Sequence, residues 1–219
     1  MIKRKSTKKY YFTVEGETEK WYLEWLRDRI NECEKANFKV SFDIQIQKNP
    51  LKRAKSLIAT SKTEIWHLSD YESDDPIHVK QFTETMDNMK AATNLGKQIS
   101  YKFGYTNLTF DLWIILHKAA CNDFKAHRKN YINPLNQSYG EKFENMDEYK
   151  HEDNFKRCLA QLSLDNVQCA IERANNIMKK NRENGYCLYE YKGYKYYKEN
   201  PSLAINEIIE KIFKDCKLI

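Results

Sequence analysis

No stretch of this 219-residue chain reaches the roughly 18 consecutive apolar residues that a membrane-spanning helix needs. The start also lacks the apolar h-region of a secretory signal. Together these absences read as a cytoplasmic protein with no membrane partner. Six cysteines (Cys33, Cys121, Cys158, Cys169, Cys187 and Cys216) include no pair two residues apart, so neither a zinc site nor a disulfide framework is expected. The chain is short of acid only at its beginning. Lys3, Arg4, Lys5, Lys8 and Lys9 supply five of the six net positive charges, leaving the remainder nearly neutral. Such a tail either draws a protein toward phosphate backbones or serves solubility alone. With 41% hydrophobic and 13% aromatic residues, the composition is that of a folded protein rather than a disordered one.

What is present is an alternation of strand and helix patterns. Tyr10, Phe12 and Val14 alternate as a strand, Gly16 breaks it, and Tyr22, Trp25, Leu26, Ile30 and Cys33 recur at helical spacing. Phe38 to Ile46 alternates strictly. Asn49-Pro50 is a helix start, continued by Leu51, Ala54, Leu57, Ile58 and Ser61. Glu64–Leu68 is a third strand, and a helix from about Pro76 carries Val79, Phe82, Met86 and Met89. Ile99, Tyr101, Phe103 and Tyr105 form a fourth strand. Thr106 or Asn107 can cap the almost wholly apolar helix Leu108–His117, and Asn200-Pro201-Ser202 reads as the start of a closing helix. Strands separated by helices imply an α/β fold with a mainly parallel sheet flanked by helices. The expected organisation is a single domain. Its core runs over about 8–120, a helical and Tyr/Lys-rich elaboration over about 121–199, and the closing helix over about 200–217.

Parallel strands present their carboxyl ends on one side of a sheet, where open α/β sheets hold ligands. Glu15 follows the first strand, and Asp70 and Glu72, with Asp74 and Asp75 just beyond, follow the third. Carboxylates converging there repel one another, and a divalent cation relieves the repulsion. Oxygen ligands with no histidine or thiolate nearby suit Mg²⁺ or Mn²⁺. Glu15, Asp70, Glu72 and Asp74 are therefore the expected metal ligands, Asp74 or Asp75 serving alternatively as the cap before Pro76. Glu17 and Glu19 are either part of this group or merely acids at a helix start, where the dipole favours them. Asp111 sits on the apolar helix, either buried and therefore paired or at an exposed first turn. His117 is either a proton donor to the leaving oxygen or a core histidine bonded to a backbone carbonyl. His67 reads as structural.

Positive charge gathers in two places. Lys118, Lys125, His127, Arg128 and Lys129 form one cluster. The run Tyr186–Lys198, with a Lys192-Gly193 hairpin turn, interleaves Tyr191, Lys192 and Lys195 with further tyrosines. Lys125, Arg128, Lys129, Tyr191, Lys192 and Lys195 are the expected nucleic-acid contacts, on which bases stack while phosphates are neutralised. An ordinary exposed tyrosine-rich hairpin has the same composition.

A Glu-Gly turn closing the first strand and an acidic pair closing the third resemble the Toprim fold of topoisomerases, primases and small nucleases. More narrowly, Glu15-Gly16-Glu17-Thr18-Glu19 with Tyr22, the Asn107 to His117 helix with Phe110-Asp111-Leu112-Trp113, and Asn200-Pro201-Ser202 resemble, in order, the motifs of the RloB family of bacterial defence proteins. Asp-Tyr-Glu stands where that family usually has Asp-x-Asp, Asp111 replaces a Glu, and Leu108 replaces a Pro. The resemblance implies a metal-dependent nuclease of anti-phage defence, with Glu15, Asp70, Glu72, Asp111 and His117 catalytic, in several relatives beside an ABC-type ATPase. RNA, transfer RNA included, is the substrate by analogy, and homo-oligomers are possible. The length leaves no room for the strand-passage domains of a topoisomerase. A non-catalytic nucleic-acid or partner-binding module is the alternative.

Overall fold

Apolar alternation produces the four principal strands: β1 (Thr7–Val14), β2 (Lys39–Ile46), β3 (Thr63–Tyr71) and β4 (Ile99–Asn107). The computed structural model describes residues 5–59 and 61–219, so Lys3 and Arg4 of the basic tail lie outside the described residues. The helices are α1 (Glu17–Glu32), α2 (Pro50–Ser56), α3 (Pro76–Ala92), α4 (Asp111–Leu116), α5 (Ile132–Tyr139), α6 (Met146–Tyr149), α7 (Glu152–Ala160), α8 (Leu164–Glu183) and α9 (Ile205–Cys216). A hairpin, β5 (Leu188–Tyr191) and β6 (Tyr194–Tyr197), turns at Lys192-Gly193, and a two-residue strand, β7 (Ser202–Leu203), precedes α9. The sheet order is β2-β1-β3-β4-β7, parallel except for β7. The protein is thus α/β, with a mainly parallel sheet flanked by helices. No helix among the described residues is long and apolar enough to cross a membrane.

Each face of the sheet carries its own core. Phe12, Val14, Trp66 and Leu68 face Tyr22, Leu26, Trp113, Ile115, Ile208 and Phe213. On the opposite face Ile65, Tyr71, Phe103 and Tyr105 meet Phe82, Met86 and Tyr196. Each such side chain, fully buried, contributes about 1.5–3 kcal/mol. Tyr196 therefore belongs to the core and the half-buried Tyr194 packs against it, and Phe82 lies 5.0 Å from Tyr196 between ring centroids.

Three local readings change. Helix α2 stops at Ser56 instead of running on through Leu57, Ile58 and Ser61. The Lys97 ammonium donates to the carbonyls of Ala54, Lys55 and Leu57, replacing the helical bonds those groups would otherwise accept. Asn107 is no cap, because β4 continues through it, and its amide donates to the Lys198 carbonyl at 2.7 Å. Asn200 is no cap either, since α9 begins only at Ile205. Its side chain accepts from the Lys125 backbone N–H at 2.8 Å and donates to the Lys125 carbonyl at 3.1 Å. Short helices α5 and α6 escaped the sequence pattern.

Gly104 lets α9 approach the sheet. A Cβ there would lie 2.6 Å from Leu68 Cδ2 and 3.5 Å from Ile205 Cα. Gly104→Val is expected to destabilise the fold by roughly 1–3 kcal/mol in urea unfolding. An unchanged midpoint would mean that the contact yields without strain.

Candidate active site

Glu15 leaves the end of β1 beside β3, where Thr13 pairs with His67, and so stands level with Ser69. Its carboxylate accepts from Ser69 Oγ at 3.0 Å and from the Asp70 backbone N–H at 3.4 Å. Gly16 follows with extended backbone, and a Cβ on it would meet Glu19 Oε2 at 3.3 Å. The missing side chain leaves room for Glu19 to turn inward. Glu19 is buried and accepts from Thr18 Oγ1 at 3.0 Å. Asp111 opens α4 fully buried, its Oδ2 accepting from Thr109 Oγ1 at 2.7 Å and pairing with the Lys150 ammonium at 3.0 Å. Lys150 directly follows α6, whose last residue, Tyr149, is anchored between Phe143 and Phe155 at ring distances of 5.7 and 5.5 Å.

The electrostatics show that these groups feel one another. Burial raises the Asp70 carboxyl well above its ordinary value, and the charges of Glu19, Glu15 and Asp111 push further while Lys150 opposes. Glu19 is raised by burial, with Lys150 lowering and Asp111 raising it. Glu15 is raised by burial against the bonds from Ser69 and Asp70, with Glu19 adding and Lys48 opposing. Burial would strip Lys150 of its proton, but Asp111, Asp70 and Glu19 outweigh it and hold the ammonium charged. Two adjoining cavities, of 290 and 320 Å³, share Glu15, Lys48, Asp70 and Glu72 in their walls. The second also takes in Glu19 and Lys150, and the first runs along α3 past His78 and Thr85.

Of the residues expected from sequence, Glu15, Asp70 and Asp111 come together. Glu72 lines the same cleft, but its carboxylate is held by Arg128 at 2.9 Å, with His78 at 3.7 Å. Asp74 instead accepts from Tyr71 Oη at 2.6 Å and lies outside both cavity walls. His117 is buried beneath α4. Its Nδ1–H donates to the Trp113 carbonyl at 2.8 Å, and its Nε2 accepts from Tyr22 Oη at 3.1 Å. Burial pulls its pKa down to about 4, as it pulls that of His67, bonded to Thr13, down to about 3. Both are neutral core histidines.

Lys125, Arg128 and Lys129 stand on the loop before α5, Arg128 reaching the cleft through Glu72. Tyr191 donates to Asp87 at 3.2 Å, Lys192 pairs with Asp87 and Lys195 with Glu190, so the hairpin's charges are largely neutralised locally.

Lys48, Glu19 and Lys150 carry more of the site than the sequence suggested. Glu19 had a signal: it sits on the buried stripe of α1 with Tyr22, Leu23 and Leu26. Lys150 had none, lying in a segment without clear periodicity.

The donor set of Glu15, Glu19, Asp70 and Asp111 is all oxygen, and its chemistry fits Mg²⁺ or Mn²⁺. The buried Asp111 Oδ1 has no partner, and a cation would give it one. Among the described residues no three His, Cys, Asp or Glu side chains already stand at ligating spacing. Lys150 holds the buried Asp111, and Arg128 holds Glu72 in the cleft wall.

Because Glu15, Glu19 and Asp70 have raised values in the folded state, their stabilising contribution is complete below about pH 4, the unfolded carboxyl range. It is lost as pH rises through the folded values. Asp70→Asn should therefore raise the thermal midpoint of metal-free protein by a few degrees at pH 8, the gain shrinking toward pH 4. A gain independent of pH, or none, would contradict this charge crowding.

No curated protein and no solved structure matches the chain. Residues 10–212 match the RloB family, described as RloB-like protein. The match spans nearly the whole sequence, and the chain belongs to the RloB-like family.

Proposed function

We propose that this protein is a divalent-metal-dependent nuclease that hydrolyses phosphodiester bonds, with RNA, transfer RNA included, as its substrate. The observation that carries this reading is the convergence of Glu15, Glu19 and Asp70 in one cleft at the carboxyl end of the parallel strands, with the buried Asp111 tied to the same cleft through Lys150. Lys150 and Lys48 are the cations among them, two against four acids. When bound, Mg²⁺ or Mn²⁺ would be held by these four carboxylates and would orient water and neutralise charge at a phosphodiester. If Glu15 is not itself a ligand, its proton affinity, raised by burial, suits it to accept a proton from water. Lys150 and Lys48 supply fixed positive charge in the cleft wall, the sign that a phosphate gathering negative charge requires. Glu72 joins the carboxylates when Arg128 releases it.

In this reading His117 holds Tyr22 and α4 in place and touches no substrate. Family membership supports a role as an effector of anti-phage defence, with an ABC-type ATPase as partner.

The test is cleavage of total RNA and of plasmid DNA with Mg²⁺ or Mn²⁺, beside a metal-free control. Glu15→Gln is expected to lower cleavage at least about 100-fold and to weaken metal binding in calorimetry. Lys150→Met should lower cleavage roughly 100- to 1,000-fold while metal still binds. If nothing is cut and calorimetry finds no Glu15-dependent metal binding, a non-catalytic binding module replaces the nuclease.

A further inference from the structure

The loop between α4 and α5 carries an aromatic ring that the fold leaves uncovered. Phe124 is 71% exposed, among a run of exposed residues from Asn122 to Asn130 that only Lys125 interrupts. Isolated exposed apolar residues need no explanation, but this one is held in place. Asn200 grips the backbone of the next residue, Lys125, as donor and as acceptor, at 3.1 and 2.8 Å. Two residues further on, His127 Nδ1 accepts from the Lys129 N–H at 3.1 Å and starts a tight turn, Arg128–Tyr131, that ends in a fully buried tyrosine. Between these anchors Arg128 reaches across to Glu72 at 2.9 Å, and Glu72 is part of the wall of both cleft cavities. The loop is therefore a strap pinned at both ends and tied to the rim of the carboxylate cleft.

Its chemistry is one-sided. Lys125 and Lys129 form no ion pair among the described residues, while Arg128 is paired only with a rim carboxylate that a phosphate can replace. Three cations and a free aromatic face, continuous with a cleft suited to phosphodiester chemistry, match a polynucleotide whose bases are unstacked. A duplex hides its base faces and would meet only the cations, whereas a single strand offers a ring to stack and a phosphate to pair with in each nucleotide. The β5–β6 hairpin is the weaker candidate, because Lys192 and Lys195 are paired with Asp87 and Glu190.

We propose that the Asn122–Asn130 strap is a single-strand-selective substrate grip, in which Phe124 stacks on one base while Arg128 exchanges Glu72 for the adjacent phosphate. The grip deepens the nuclease reading and rests on it only for the chemistry performed in the cleft. Stacking is indifferent to the sugar, so single-stranded RNA and single-stranded DNA share this contact, and selection between them arises elsewhere.

The experiment is fluorescence anisotropy of the full chain at low salt without metal, so that nothing is cut. The probes are a labelled single-stranded RNA, the DNA of the same sequence, and the corresponding duplexes. Phe124→Ala is expected to weaken both single strands roughly 5- to 150-fold and the duplexes less than about 2-fold, with Phe124→Trp restoring binding. Equal losses on single strand and duplex, no loss on either, or no binding of any probe would overturn the grip. So would a concentration-dependent dimer of the wild type that Phe124→Ala abolishes, which would assign the ring to a second copy of the chain. Phe124-dependent binding by a protein that cuts nothing with metal keeps the grip and removes the nuclease. Cleavage with binding indifferent to Phe124 does the reverse.

Discussion

Negative charge crowded into a partly dry cleft is the constraint to which the rest of this structure answers. Four carboxylates reach one end of the sheet, and three of them are supported by a hydroxyl drawn from their immediate surroundings: Ser69 for Glu15, Thr18 for Glu19 and Thr109 for Asp111. Asp70 is the exception. No hydrogen bond or ion pair to its side chain is found among the described residues, and its proton affinity is raised well above the ordinary value. The least supported acid is the one at the meeting point of all the others. A site arranged in this way favours a cation more strongly than any of its members would alone.

The sheet supplies the convergence and the helical elaboration supplies the counter-charge. Parallel pairing of β1 with β3 and of β3 with β4 fixes Glu15, Asp70 and the entry to α4 at one level. Lys150 arrives from outside that frame, held by the aromatic packing of Tyr149. Arg128 similarly enters from the strap and engages Glu72. Cations of the elaboration thus hold two acids, Lys150 the buried Asp111 and Arg128 the cleft-wall Glu72.

Much of this was legible in the residues. The alternation in β1 to β4 and the apolar stripes of α1 and α3 state a parallel α/β sheet directly, because period and burial coincide there. Glu15 and Asp70 were visible because they interrupt at strand ends, where side chains face a crevice. Glu19 was ambiguous, since an acid in a first helical turn has a sufficient reason of its own. Lys150 and Lys48 were illegible for a different reason: each depends on which distant segment folds over it, and local periodicity holds no record of that. The basic cluster Lys125, Arg128 and Lys129 was visible, but its ties to Asn200 and Glu72 were not. Asn107 and Asn200 misled for the same reason. Each looks like a helix cap, and each spends its amide on a distant backbone, Asn107 on Lys198 and Asn200 on Lys125.

Those two asparagines have a consequence for how such a chain can diverge. By joining Lys125 to Asn200 and the end of β4 to Lys198, they close the elaboration at its neck, so that its two ends are fixed beside each other whatever lies between. Lengthening a loop already closed in this way adds little entropy cost, on the order of 0.6 kcal/mol for each doubling. The exposed loops between the clamps therefore tolerate insertion, while α5 to α8 keep their buried faces in the core. The same segment also carries Lys150, the ammonium set against the carboxylates. The acids are built into the frame beside Lys48, while Lys150 comes from the elaboration, so part of the counter-charge can be retuned without redrawing the sheet.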